Sequence, residues 1–494
     1  MPKKKVPSVT AVDLGHQDCA PPGLAARAGR LGVLVGRVCR SDNGALRALM
    51  VYGLRIGGAG LIFLAQIAIA RWLTPAEYGV FANVWVIFLL IGGWVSLGLG
   101  GAMIRFVPEY LALGREDLLR GLRRAGRAVG LTAAIVLACA GIAVLTLGGN
   151  IVEPGYRMPL VLALAALPFY AMSDINDGLC RGHGWPLRGI APIYVLRPLL
   201  MIAGVVIAAL ALGLEPTATN AMAVVAIAFS LTVLVQTVIT ESGTHGLVPA
   251  GPSRYELKTW LAVSMPLVLM EGMLALMNHV DVLLVGSLRG AEEVGLYYAA
   301  TRVVALVSFV PYAVIAVFGP RFSHGNAMND HDGLRETARQ AVTLSLLPSL
   351  VLGIAIVATG PLLLAAFGKE FTAAYNVLLI LLVAVTMRAA VAPAQTMLAM
   401  TGHHVICVVI LAGALALNTG LNLILIPLAG TVGAATATTI AIAVEIGLSL
   451  VAVRSRLGFV PMPYGDVRHL VAALRGILTR RAVTVPGPKG PLAG

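Results

Sequence analysis

Long apolar runs separated by short polar breaks are the most regular feature of this chain. A helix needs about 20 mainly apolar residues to cross a hydrocarbon core of about 30 Å. Twelve runs meet that requirement: 48–70, 79–103, 126–148, 158–178, 190–213, 219–240, 260–286, 295–319, 340–364, 374–398, 404–428 and 432–453. Each is expected to be helical, because a chain in lipid must satisfy its own backbone hydrogen bonds and none alternates like a barrel strand. The expected fold class is all-α integral membrane with twelve transmembrane helices.

The breaks between runs repeat. Leu73–Phe81 reads LTPAEYGVF and Leu288–Tyr297 reads LRGAEEVGLY, aligning Gly79 with Gly295 at an offset of 216 with one inserted residue. At the same offset Arg105-Phe106 meets Arg321-Phe322, and at 220 Cys180-Arg181-Gly182-His183 meets Met400-Thr401-Gly402-His403. Three matches in one order predict two six-helix lobes related by internal repeat, spanning 48–240 and 260–453 and joined by a linker at 241–259. Six is even, so both copies cross in the same sense, about an axis along the membrane normal. Gly79 and Gly295 are expected to serve close helix approach or tight turns.

Composition fits this picture and charge orients it. Mean hydropathy is +0.88, with 58% hydrophobic and 12% charged residues, far from soluble globular values. The net charge of +13 is no nucleic-acid signal, because 28 of the 36 Lys and Arg fall on the N-terminal side of the expected membrane. The opposite side receives Arg71, Arg157, Arg289 and Lys369, and four lie inside spans. This bias places both termini in the cytoplasm of a multi-pass inner-membrane protein and favours anionic inner-leaflet lipid. Cys19, Cys39, Cys139, Cys180 and Cys407 all avoid external loops, so no disulfide framework is expected. The first apolar run follows a basic tail, 1–47, and reads as a span rather than a signal peptide. In the C-terminal tail, 454–494, Val467, Leu470, Val471, Leu474 and Leu478 have helical spacing beside four arginines. That pattern suits an amphipathic helix on the inner leaflet or a loosely ordered basic tail. Residues 1–21 and 484–494 read as disordered.

Three stretches resemble a known family: ARWLTPAEYGVFA at Ala70–Ala82, IRFVPEY at Ile104–Tyr110 and NTGLNLILIPLAGTVGAATAT at Asn418–Thr438. They are similar to the polysaccharide transporter (O-antigen flippase) branch of the multidrug/oligosaccharidyl-lipid/polysaccharide exporter superfamily. The resemblance implies a V-shaped pair of lobes alternating between inward-open and outward-open states. It implies as cargo an undecaprenyl-diphosphate-linked oligosaccharide, and as a further partner the polysaccharide polymerase machinery.

The buried charges bear on cargo independently. Arg55, Arg197, Arg302 and Arg388 lie within spans, where each costs roughly 2.5–3.5 kcal/mol at a helix centre. The acids away from the cytoplasmic edge are Glu271, Asp281 and Glu445. The resulting positive interior suits a diphosphate, which arginine binds through paired N–H donors. Each arginine has a structural alternative: snorkelling for Arg55, pairing with Asp174 or Asp177 for Arg197, scaffolding for Arg302, and a salt bridge to Glu445 for Arg388. Span seven carries Glu271, Asn278, His279 and Asp281 downstream of Pro266. Glu271 stands at the repeat position of Arg55. It is either a coupling carboxylate, acting with His279, or one half of an Arg55–Glu271 lock between lobes.

Other functions fit less well. Asp330-His331-Asp332 has the D-x-D form of a nucleotide-sugar site, but no α/β domain surrounds it. There is no Walker motif, metal cluster or nucleophile elbow, so neither an enzyme nor a cofactor is expected. A cation-coupled multidrug exporter of the same superfamily is the alternative. Such a relative is expected to carry a carboxylate in its first span, where this chain has Arg55. A peptidoglycan-precursor flippase is expected to have two further C-terminal spans.

Overall fold

The computed structural model describes residues 44–148, 152–244, 251–328 and 330–463. The basic N-terminal tail with Cys19 and Cys39, the expected amphipathic segment around Val467 and both end segments lie outside the described residues. The described residues are mostly helical. The first half contains α1 (Gly44–Trp72), α2 (Pro75–Val95), α3 (Leu99–Ala112), α4 (Glu116–Leu147), α5 (Pro154–Gly182), α6 (Pro186–Ala191), α7 (Arg197–Val206) and α8 (Ala218–Thr244). The second contains α9 (Leu257–Arg289), α10 (Ala291–Ala327), α11 (His331–Phe367), α12 (Tyr375–Leu398) and α13 (His404–Leu457). Among the described residues, ten helical runs are long and apolar enough to cross a membrane.

Several of these runs depart from straight helices. A 54-residue α13 would measure about 81 Å if straight, far more than a bilayer core. Its backbone breaks at Ala429–Gly430, where Gly430 has φ +57°. Beyond the break Gly433 rests against the Leu425 carbonyl, so the chain doubles back. A second break at Thr401–Gly402 separates α12 from α13. The run from Pro75 to Ala112 is also bent, at Leu97 (φ 51°) and Gly98 (φ 68°). Leu97 is the only non-glycine residue with positive φ among those described. A side chain at Gly98 would strike Val268 and Ser264 of α9, so the bend brings α9 against the first half.

The turns sort into two faces. One carries the α1–α2 turn at Leu73–Thr74, where the Thr74 hydroxyl accepts the Glu77 N–H at 3.3 Å and Pro75 opens α2. The other carries the α5–α6 turn at Gly184. On the Thr74 face the halves are pressed together. Arg71 donates to the Ala365 and Ala366 carbonyls at 2.9 and 2.6 Å, and Phe63, Tyr78, Phe367 and Phe371 pack edge to face or tilted. On the Gly184 face the first turn of α9 reaches the first half. Trp260, in the first turn of α9, is fully buried in a cluster with α3, α4 and α5, and its Nε1 donates to Tyr110 Oη at 2.9 Å. Farther along α9, Met277 joins a core built by later helices.

The tightest crossing is between α2 and α10. A Cβ on Gly79 would overlap the Ala291 carbonyl and meet the Gly295 nitrogen, and one on Gly295 would meet the Pro75 carbonyl and the Gly79 nitrogen. The two backbones touch with no side chain between them, so these glycines serve close approach. The contact is reciprocal, and each residue pairs with its counterpart 216 positions away.

Gly79→Ala and Gly295→Ala should each force the helices apart and cost about 1–3 kcal/mol, read as a lowered thermal midpoint of the purified protein. Gly413→Ala, where a Cβ meets nothing within 4 Å, should leave the midpoint unchanged or raised.

Candidate functional site

The charges inside the spans divide into three groups. The first lies wholly in the second half. Arg388 of α12 donates to Glu445 of α13 at 2.7 Å, and Gln395, two turns along α12, donates to Glu445 and Ser449 at 3.1 and 3.0 Å. Asn278 of α9 accepts from Arg388 at 3.5 Å. The salt bridge weighed for Arg388 is therefore formed, and Glu445 is 7% exposed within it. Gln395 lies seven residues after Arg388, the same-face spacing that could have marked it.

The second group is a set of arginines without carboxylates. Arg55 sits with its guanidinium 6.0 Å from the Tyr194 ring centroid. Arg197 lies 3.8 Å from the Phe229 centroid and donates to Ser173 Oγ at 2.9 Å. It forms no ion pair with Asp174 or Asp177. Ser173 donates onward to Gln236 at 3.0 Å, and Gln236 to the Gly189 carbonyl at 3.2 Å. Arg302 lies 4.4 Å from the Tyr298 centroid. None of the three has a salt bridge among the described residues. Arg197 follows a π-helical turn at Pro192–Leu196, whose Tyr194 packs directly on Gly58 of α1. Such turns recur at functional sites.

The third group is acidic and lies where α3, α5 and α9 meet. A cavity of about 130 Å³ is lined by Ser96, Gly100, Tyr170, Asp174, Asp177, Arg181 and Glu271, among others. Glu271 comes from the second half; Asp174 and Asp177 come from the first. Arg181 donates to Asp177 at 3.2 Å, and the other Asp177 oxygen is buried without a partner. The Leu97–Gly98 bend opens this space, and the close fit of Gly100 and Gly178 draws α3 onto α5. The Arg55–Glu271 ion pair is not present; Glu271 faces carboxylates instead. Asp281, 5% exposed, accepts from Tyr297 Oη at 2.5 Å, the Val282 N–H at 2.8 Å and Thr438 Oγ1 at 3.5 Å. His279 is half-buried, and its Nδ1 has no partner. Among the described residues no cluster of His, Cys, Asp and Glu has metal-binding geometry.

The comparisons with known proteins fit this geometry. A family model described as "Polysaccharide biosynthesis protein" matches residues 48–326, more than half of the chain. The chain belongs to the polysaccharide biosynthesis protein family. The MatE family model matches residues 266–424, and no curated protein matches. Among solved structures, an inward-facing multidrug resistance MATE family transporter of the MOP superfamily superposes with a TM-score of 0.70 at 14% identity. It covers 82% of this chain and 98% of its own. The lipid II flippase MurJ in an inward closed conformation gives 0.64 at 13% identity, covering 87% and 91%. An outward-facing MATE transporter gives 0.58 at 14% identity, covering 83% and 95%. This member of the polysaccharide biosynthesis protein family thus has a MATE-like fold, with ten helical runs among the described residues long and apolar enough to cross a membrane.

Arg388→Met should cost roughly 2–3 kcal/mol, because it leaves the buried Glu445 carboxylate without its cation, held by Gln395 alone. The double change Arg388→Met with Glu445→Leu should recover most of the loss, so a thermal-unfolding cycle over the four proteins should give a large coupling energy.

Proposed function

We propose that this protein flips an undecaprenyl-diphosphate-linked oligosaccharide from the inner to the outer leaflet by alternating access, for surface polysaccharide biosynthesis. The observation that carries the proposal is that Arg55, Arg197 and Arg302 form no ion pair among the described residues and rest on aromatic rings instead. Cations left inside a membrane protein without counter-ions are costly, and a diphosphate headgroup supplies the missing charge. The family match and a fold shared with a lipid II flippase support a lipid-linked cargo.

The architecture proposed is twelve spans in two lobes, 48–240 and 260–453, joined by 241–259. The breaks at Gly402 and Gly430 support it, because they divide the 89-residue run at Lys369–Leu457 into three membrane-length helices. The reciprocal Gly79–Gly295 contact supports a two-fold relation between the lobes, since a two-fold axis pairs each residue with its own counterpart. With the arginine-rich Gly184 face assigned to the cytoplasm, the closed Thr74 face is the outer one, which agrees with the better fit to the inward-facing relative. The protein is placed in the bacterial inner membrane with both termini cytoplasmic, beside anionic lipid and the polymerase machinery. No catalytic step and no cofactor is part of the cycle.

For coupling, Glu271 is the proposed carboxylate. It alone among the candidates meets other acids across the lobe interface, so a proton or cation there would ease repulsion between the halves. His279 and Asp281 are secondary candidates, and Glu445 is engaged by Arg388. The acidic cavity also favours a second reading, a cation-coupled multidrug exporter.

Deletion should accumulate lipid-linked oligosaccharide at the cytoplasmic leaflet and abolish the surface polymer; lost drug resistance with the polymer retained would favour the exporter. Glu271→Gln should abolish gradient-driven transport in proteoliposomes, and full transport by that variant would remove it from the coupling step.

A further inference from the structure

The three arginines without carboxylate partners share a mode of support. Arg55, Arg197 and Arg302 each lie over an aromatic ring, Tyr194, Phe229 and Tyr298, at 6.0, 3.8 and 4.4 Å. Arg388, the fourth arginine inside a span, is held instead by Glu445. The physical difference is large. A carboxylate fixes a guanidinium and cancels its charge. A ring face attracts the guanidinium through its quadrupole, within about 6 Å of the centroid, yet carries no net charge. A cation seated on a ring is oriented and still fully positive.

Asp177 lies within electrostatic reach of Arg55 and Arg197, and Asp281 of Arg302, but none of these three arginines forms a direct ion pair among the described residues. Phe229 is 1% exposed and Tyr298 0%, so both rings are fixed parts of the core. Tyr298 lies one helical turn before Arg302 on α10 and packs against Tyr78 at 6.0 Å between centroids. Phe229 packs edge to face on Phe88 at 5.1 Å and on Trp85 at 6.0 Å. The chain of hydrogen bonds leading from Arg197 through Ser173 and Gln236 ends on a backbone carbonyl, so it delivers no negative charge. The Nε atoms of Arg197 and Arg302 and the Tyr298 hydroxyl are buried with no partner. Other arginines stack on rings too, among them Arg105 on Phe106 and Arg321 on Phe318. Those sit near the arginine-rich Gly184 face, whereas the three above lie within spans.

We propose that Tyr194, Phe229 and Tyr298 are positioning residues, uncharged seats that hold Arg55, Arg197 and Arg302 toward an anionic, phosphate-bearing ligand without neutralising them. This rests on the flippase reading and adds to it the residues that keep the cations available. A ring-to-aliphatic change should leave the arginine in the chain but release its guanidinium, while a ring-to-ring change should keep the seat.

The test uses the full-length protein in lipid nanodiscs, with undecaprenyl diphosphate as probe and undecaprenol as the neutral control of equal chain length. Wild type should prefer the diphosphate, and Arg302→Ala should lose the preference. Tyr298→Leu should weaken diphosphate binding by roughly ten-fold with undecaprenol binding unmoved, and Tyr298→Phe should restore it. Phe229→Leu is a second variant should Tyr298→Leu fail to fold, with the same loss expected through Arg197. If the leucine variants fold and keep the wild-type preference while Arg302→Ala loses it, the seats are overturned and the flippase reading stands. If wild type binds both probes equally, the anionic-cargo reading itself fails.

Discussion

The crossing of α2 over α10 is the constraint on which the rest of the arrangement depends. Two helices can touch backbone to backbone only where neither carries a side chain, and Gly79 and Gly295 meet that condition together. The contact sets the distance between the halves on the Thr74 face, and the aromatic packing around Tyr78 and the Arg71 hydrogen bonds fit around it. A single added methyl would act on all of them at once, because packed interiors transmit strain rather than absorb it.

Buried charge follows two logics. In one, Arg388 and Glu445 form a neutral pair that Asn278 and Gln395 complete, with Gln395 bonded onward to Ser449. Such a unit is structural, because its members satisfy one another. Arg197 and Arg302 instead keep unpartnered donors, and the acids around Glu271 face each other rather than a matching number of cations. Unsatisfied groups of this kind are expensive in a low-dielectric setting, and they separate the candidate site from the scaffold.

Much of this was legible in the sequence, and the limits have physical causes. Span positions follow from hydropathy, which is a local property, and the offset of 216 marks Gly79 and Gly295. The Arg388–Glu445 pair was one of two readings, since opposite charges at similar depth can be matched without knowing helix rotation. Partners that depend on rotation were not legible. Arg197 turns to Phe229 and Ser173 rather than to Asp174 because a π-helical turn precedes it, and nothing in the PIYVL segment announces that turn. Likewise Glu271 meets Asp174 and Asp177 instead of Arg55 because the chain bends at Leu97–Gly98. The i,i+4 spacing of Tyr298 and Arg302 was available and carried a signal that hydropathy does not weigh.

The placement of Trp260 has a mechanical consequence. One end of α9 is buried among α3, α4 and α5, while its middle packs on the second half. Pro266 lies between, and removes one internal hydrogen bond from the helix. A helix held at one end by the first half and at its middle by the second must bend if those halves turn against each other. The curvature of α9 is therefore a built-in gauge of the angle between the halves, and Glu271 rides on the segment just past the weak point.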